Sequence, residues 1–261
     1  MFRKRYFYLI QIQYLGFRYH GWQKQPNVLT VQRMMQRTCQ YVLQHSNFKL
    51  LAAGRTDAKV SVNETVIELF VDNEPIDLTD FIQILNQNLP PDIRALSVKE
   101  TDRIFNIIQH PKEKEYVYLF SHGEKNHPFS APFMANITEK LDIDIMKKAA
   151  KCMEGTHDFI NFTFKPNPET QTVTTLSRCE IVPNELYTAN FFPAESFLLR
   201  AIGSGFKRNQ IRLMMGALID LGKGDMSWAY FQEVLEAKEQ IKLTHIAQAS
   251  GLILHRMQLE D

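Results

Sequence analysis

The chain is poor in the residues that staple or anchor a protein. Its three cysteines, Cys39, Cys152 and Cys179, lie far apart with no CxxC pair. That argues against a disulfide framework or a cysteine-ligated zinc and fits reduced thiols inside a cell. The eight histidines include no HExxH or comparable ligand spacing, so no metal is expected. No apolar run approaches the roughly 18 residues of a membrane span. The N-terminal "MFRKRYFYLIQIQYLG" alternates polar with apolar positions instead of forming the solid block of a signal peptide. The expectation is a cytoplasmic protein with no membrane partner. Low-complexity segments are absent too, and 44% hydrophobic residues over 261 positions suit one large domain or two small ones.

Negative charge is scarcest at the start of the chain. From Met1 to Val60 there are ten Lys or Arg and one acid, Asp57, a balance of +9 that the remainder offsets with −8. Such a segment attracts a polyanion, and Tyr14, Phe17, Tyr19 and Trp22 interleave aromatic surface for unpaired bases. Internal pairing of these basic residues with the acidic remainder is the other reading of the same numbers.

The periodicities give an order of elements. "RYFYLIQIQYLG" alternates at period two and reads as a strand. Thr30 reads as the N-cap of the helix "VQRMMQRTCQYVLQ", with Val31, Met34, Met35 and Val42 on one face. Strands "FKLLAAG" and "ETVIELFV" follow. Then come a helix "LTDFIQILNQNL", with Leu78, Phe81, Ile82 and Leu85 on one side and Pro90-Pro91 behind it, and a strand "IRALSVKE". This βαββαβ order is ferredoxin-like, with two helices over one face of an antiparallel sheet.

The second half repeats the theme with insertions. It has strands "KEYVYLF", "TLSRCEIV", "ESFLLRAIG" and "GLILHRMQL". Its helices are "DIDIMKKAAKCMEG", ending at Gly155, "FKRNQIRLMMGALIDLG", stopped by Gly222, and "SWAYFQEVLEAK", capped by Ser227. "NIIQHPKEK" between the halves is polar and "FKPNPETQT" reads as a loop. The expected fold is α+β, with ferredoxin-like halves over residues 1–103 and 104–261.

The lone acid falls in "AAGRTDAKVSV", where a strand ends. Taken alone, Gly-Arg-Thr-Asp is also a good turn sequence, since Thr and Asp side chains satisfy local backbone groups. Other stretches change its meaning. "YLGFRYHGWQKQPN", "AAGRTDAKV", "LNQNLPPDI", "KEYVY", "GTHDF", "IGSGFKRNQIRLMMGALIDLGKG" and "ASGLIL" occur in this order. Together they resemble the TruA family of tRNA pseudouridine synthases over nearly the whole chain.

That resemblance implies two halves sharing one continuous, mostly antiparallel sheet with a basic central cleft for RNA, usually in a homodimer. It implies cofactor-free conversion of uridine to pseudouridine in tRNA, in the anticodon stem-loop, or the same chemistry on another RNA. By position it makes Asp57 the catalytic carboxylate and Arg212, in "NQIR", its guanidinium partner. Tyr116, in "KEYVY", becomes the ring that stacks on the target base, and Arg55 the residue linked to base extrusion. Arg18, Gln23, Lys24 and Lys59 are the expected RNA contacts. The residue types fit these roles, since a carboxylate can attack or deprotonate, a guanidinium offsets the cost of burying it, and a ring supports a turning base. Tyr116 and Tyr118, two apart on a strand, read by themselves as packing residues. Trp22 reads as a packing anchor and His157 as a loop organiser.

The sequence departs from the family pattern in four places. Lys59 and Ser61 stand where glycine and histidine are usual, Ile108 where an arginine is, and Asn209 where a histidine is. A module that binds RNA without modifying it, and a metabolic enzyme on the same scaffold, are the readings from other classes.

Overall fold

The computed structural model describes residues 4–237 and 239–259. In chain order the elements are β1 (Arg5–Tyr14), α1 (Val31–Leu43), β2 (Phe48–Ala52), β3 (Ser61–Asp72), α2 (Phe81–Asn88), β4 (Ile93–Thr101), β5 (Pro111–His122), β6 (Ala135–Ile137), α3 (Ile143–Cys152), β7 (Gly155–Asp158), β8 (Val173–Pro183), β9 (Phe197–Gly203), α4 (Gln210–Lys223), α5 (Trp228–Glu236) and β10 (Leu252–Leu259). The fold is α+β. Residues 1–112 with 254–261 make one compact unit and residues 113–253 another.

In the first unit the strands lie in the order β4-β1-β3, with β2 and β10 also against β3. β1 runs antiparallel to both β3 and β4, and β2 antiparallel to β3. This is the ferredoxin-like order of a βαββαβ chain. Thr30 caps α1 by accepting from the Arg33 amide, and the buried stripe is Val31, Met35, Thr38 and Cys39. Met34 and Val42 sit half-buried at its margin.

β1 is buried on both sides. Tyr8 and Ile10 face one way, and the Tyr8 hydroxyl accepts from the Ile76 amide just before α2. Leu9 faces the other way and packs with Ala53, Ile107 and Met257. The polar stretch between the halves therefore supplies a core residue, Ile107, which is fully buried. Glu68 shares this apolar side, opposite Leu9 and Leu51 in register. Burial pushes its carboxyl above the usual range, against a hydrogen bond from the Ile107 backbone and the nearby His110.

In the second unit β5, β9, β8 and β7 follow one another antiparallel, and β6 adds to β5 in parallel. α4 is buried on nearly every side, which accounts for its almost unbroken apolar sequence. Two glycine expectations need correction. Gly222 does not stop α4: it lies inside the helix, where the missing side chain admits the Met146 sulfur, 2.6 Å from where a Cβ would stand. Gly224, at φ +82, is the C-cap. Gly155 likewise does not end α3, which closes at Cys152, and instead opens β7 at φ +105. Ser227 caps α5 by accepting from Tyr230. Lys238, the last residue of that expected helix, lies outside the described residues.

Within α4, Gly216 faces the carbonyl of His245, which a Cβ would strike directly. Gly216→Ala is expected to lower stability by about 1–3 kcal/mol, seen as a melting temperature lower by roughly 2–10 °C in a calorimetric scan.

Candidate active site

Asp57 stands in the turn that joins β2 to β3, and the shape of that turn is set by a distant segment, Tyr14 to Trp22. The Trp22 amide donates to Thr56 O at 3.2 Å and the Lys59 amide to Tyr19 O at 2.9 Å. The Tyr14 hydroxyl and Thr56 Oγ1 share a hydrogen bond of 2.8 Å, and Ser61 Oγ accepts from the Gly16 amide at 2.9 Å. Inside the turn, the Val60 amide donates to Asp57 O at 3.2 Å.

Two glycines permit the approach. A Cβ on Gly21, at φ +82, would lie 2.5 Å from Thr56 O, and one on Gly16 would collide with Val60 O. Trp22 is buried and stacks with Tyr14, ring centres 6.4 Å apart, the packing role expected for it. Lys59 holds φ +67, a left-handed conformation in which glycine is at ease and other residues are strained by about 1–3 kcal/mol.

The expected RNA contacts differ in their surroundings. Arg18 is engaged with Asp92 through Nε and Nη2, while its guanidinium lies over the Tyr19 ring. Tyr19 donates its hydroxyl to the same carboxylate at 2.6 Å. Burial alone would raise Asp92, but the hydrogen bonds from Arg18 and Tyr19 outweigh it and hold the carboxyl below its usual range. Gln23 Nε2 donates to Gln32 Oε1, which also accepts from the Lys24 amide. Lys24, Arg55 and Lys59 are exposed, whereas Asp57 is half-buried.

In the second unit Tyr116 lies on β5 opposite Ala201, its ring edge-on to Phe206 with centres 5.0 Å apart. Tyr118 is fully buried and its hydroxyl donates to Gln248 O at 2.8 Å. Burial pushes that phenol above its usual range, with Arg212 pulling the other way. Lys114, two residues from Tyr116 and so on the same side of the strand, has its ammonium drawn below the usual range by burial.

Arg212 leaves the first turn of α4. Its Nε donates to Ala247 O at 2.8 Å and its Nη1 to Asn209 Oδ1 at 3.1 Å, while its own carbonyl accepts from the Ala247 amide. Asn209 is left-handed at φ +56, a conformation that asparagine tolerates better than most residues. His157 Nε2 meets Glu154 O, a loop contact as expected.

Sequence reasoning did not assign roles to Asp92, Phe206 or Lys114. They lie in the stretches "LNQNLPPDI", "IGSGFKRNQIR" and "KEYVY", but a one-letter string does not say that an acid will clamp an arginine 74 positions away.

Comparison with known proteins decides what these parts belong to. A family model described as tRNA pseudouridine synthase matches residues 10–108 and 149–258. The chain belongs to the tRNA pseudouridine synthase family. Membership makes it an RNA-modifying isomerase. The first matched span carries Arg55 and Asp57 and the second Arg212; Tyr116 falls between them. A tRNA pseudouridine synthase A of an Exiguobacterium strain is 31% identical over 249 residues, 95% of this chain and 96% of that protein. One from Thermosipho melanesiensis is 32% identical over 253 residues, covering 96% and 98%. A Bacillus cereus protein, tRNA pseudouridine synthase A 2, is 30% identical over 253 residues, again covering 96% and 98%. Among the described residues no helix is long and apolar enough to cross a membrane.

The Asp92 clamp has a pH signature. A carboxyl held low in the folded state contributes stability that is present above the unfolded value, about 4, and lost as pH falls through the folded one. Asp92→Asn should therefore melt roughly 2–6 °C below the wild type at pH 6–7. In a melting series down to about pH 3, the two curves should converge as pH drops below about 4.

Proposed function

We propose that the protein converts uridine to pseudouridine in tRNA, within the anticodon stem-loop, with Asp57 as the reactive carboxylate. The reaction breaks the bond from N1 to C1′, turns the base and joins C5 to C1′, while the hydrogen on C5 is lost and N1 is protonated. Substrate and product are isomers, so no oxidant, reductant or group donor enters. A carboxylate can serve by attacking C1′, by adding to C6 of the uracil, or by taking a proton from the sugar.

Arg212 is assigned as the guanidinium that compensates the carboxylate's charge in a site closed over a base. The clamps from Ala247 and Asn209 leave that guanidinium little rotational freedom. Tyr116 is assigned as the flat support for the detached uracil, a contact worth about 1–3 kcal/mol per base. A uridine in a stem must leave its stack to be reached, which costs a few kcal/mol. Arg55 is assigned to that extrusion, and Arg18, Gln23 and Lys24 to the backbone contacts that offset it. The assembly proposed is a homodimer.

The observation that carries this reading is that a family match spanning most of the chain includes the GRTD turn, whose aspartate is the only acid among the first sixty residues. Extra carboxylates there would repel the phosphates that the surrounding cations attract.

The test compares wild type with Asp57→Ala on bulk tRNA, scoring pseudouridine by chemical labelling and binding by filter retention. Modification by the wild type alone, with affinities equal within about two-fold, is the expected result. Modification by Asp57→Ala would remove Asp57 from the chemistry. Binding without modification by either protein would favour a silent RNA-binding module.

A further inference from the structure

Lys59 is a residue whose backbone would be better served by glycine. Its φ of +67 is held by two backbone hydrogen bonds: its own amide donates to Tyr19 O in the neighbouring loop, and the next amide donates to Asp57 O within the turn. The turn therefore keeps this shape whatever side chain position 59 carries, and a lysine there strains it. The side chain returns little to the fold. It is exposed, and its ammonium lies 5.8 Å from the centre of the Phe17 ring, itself 39% exposed. A cation over a ring at a wet surface is a weak contact. Such strain, with little structural return from the side chain, points to a role for it outside the fold.

What the two groups offer together is specific in kind. An ammonium two residues beyond Asp57 and a flat apolar ring from the neighbouring loop, 5.8 Å apart, match the two halves of a nucleotide: a phosphate and an unstacked base. A base in a continuous duplex cannot present its face to a ring, so the ligand must contain an unpaired nucleotide. We propose that Lys59 and Phe17 form a subsite for an unpaired nucleotide flanking the target uridine, Lys59 on its phosphate and Phe17 under its base. The proposal rests on the activity assigned above and narrows its substrates to uridines with an unpaired neighbour.

The consequence is a trade between stability and binding, which a purely structural lysine would not show. Lys59→Gly should raise the melting temperature by about 1–3 °C, because the strain relieved outweighs the greater freedom glycine gives the unfolded chain. It should also weaken tRNA binding several-fold and flatten the slope of log affinity against log salt by about 0.7–0.9, the loss of one phosphate contact. Phe17→Ala should weaken binding by at least about five-fold with the salt slope kept, and Phe17→Tyr should restore it.

Filter binding of bulk tRNA between about 50 and 300 mM salt, alongside thermal melts of each variant, reads all of these. A stabilised Lys59→Gly with unchanged affinity and salt slope overturns the proposal, as does a Lys59→Gly that melts lower than wild type. Pseudouridine formation by the wild type on the same tRNA is scored in parallel. Its absence alongside the predicted binding changes would overturn the assigned activity and leave the subsite standing.

Discussion

Two loops with no regular secondary structure hold each other in place, and the position of Asp57 depends on them. The amides of Trp22 and Lys59 cross between the loops in opposite directions, one to Thr56 O and the other to Tyr19 O. Ser61 and the Tyr14 hydroxyl close the ends. Neither loop can satisfy its backbone alone, because both leave the sheet at the ends of strands, where ladder partners run out. Each therefore uses the other as its missing strand. The cost falls on residues where a side chain would intrude, Gly16 and Gly21, and on Lys59, which has to adopt a glycine-like backbone.

The second unit solves the same problem with a helix end. α4 begins at a left-handed asparagine with no side-chain cap, so Asn209 Oδ1 remains available to the guanidinium three residues on. The segment around Ala247 runs against α4 because Gly216 and Arg212 accept it, one by lacking a side chain and the other by a reciprocal pair of hydrogen bonds. In both units a side chain proposed to act in the reaction projects from a backbone that a second, sequence-distant backbone holds by hydrogen bonds. The charge distribution complements this: the first sixty residues are basic and acid-poor, which favours a polyanion at long range.

Much of this was legible in the sequence where local physics decides. The Thr30 and Ser227 caps rest on contacts within three residues, and the order of elements in the first unit follows from the periodicity of each segment. What was not legible depends on long-range contacts. Ile107 sits in a polar stretch and still fills the core beneath Leu9, because burial is decided by what packs over a sheet and not by neighbours in the chain. Gly222 and Gly155 read as helix stops because glycine often is one, yet one serves close packing against Met146 and the other opens a strand. For the site, the GRTD resemblance singled out Asp57 as the candidate carboxylate. The left-handed φ of Lys59 and the engagement of Arg18 by Asp92 both depend on contacts with distant backbone or side chains.

Amide hydrogen exchange at Trp22 and Lys59 probes the mutual bracing of the two loops most directly. If the loops hold one another, both amides are protected to a similar degree, and Gly21→Ala, which drives a Cβ toward Thr56 O, deprotects both together. If the two amides exchange independently, or at the rates of an open loop in the wild type, Asp57 is not positioned by this bracing and the account is wrong at its base.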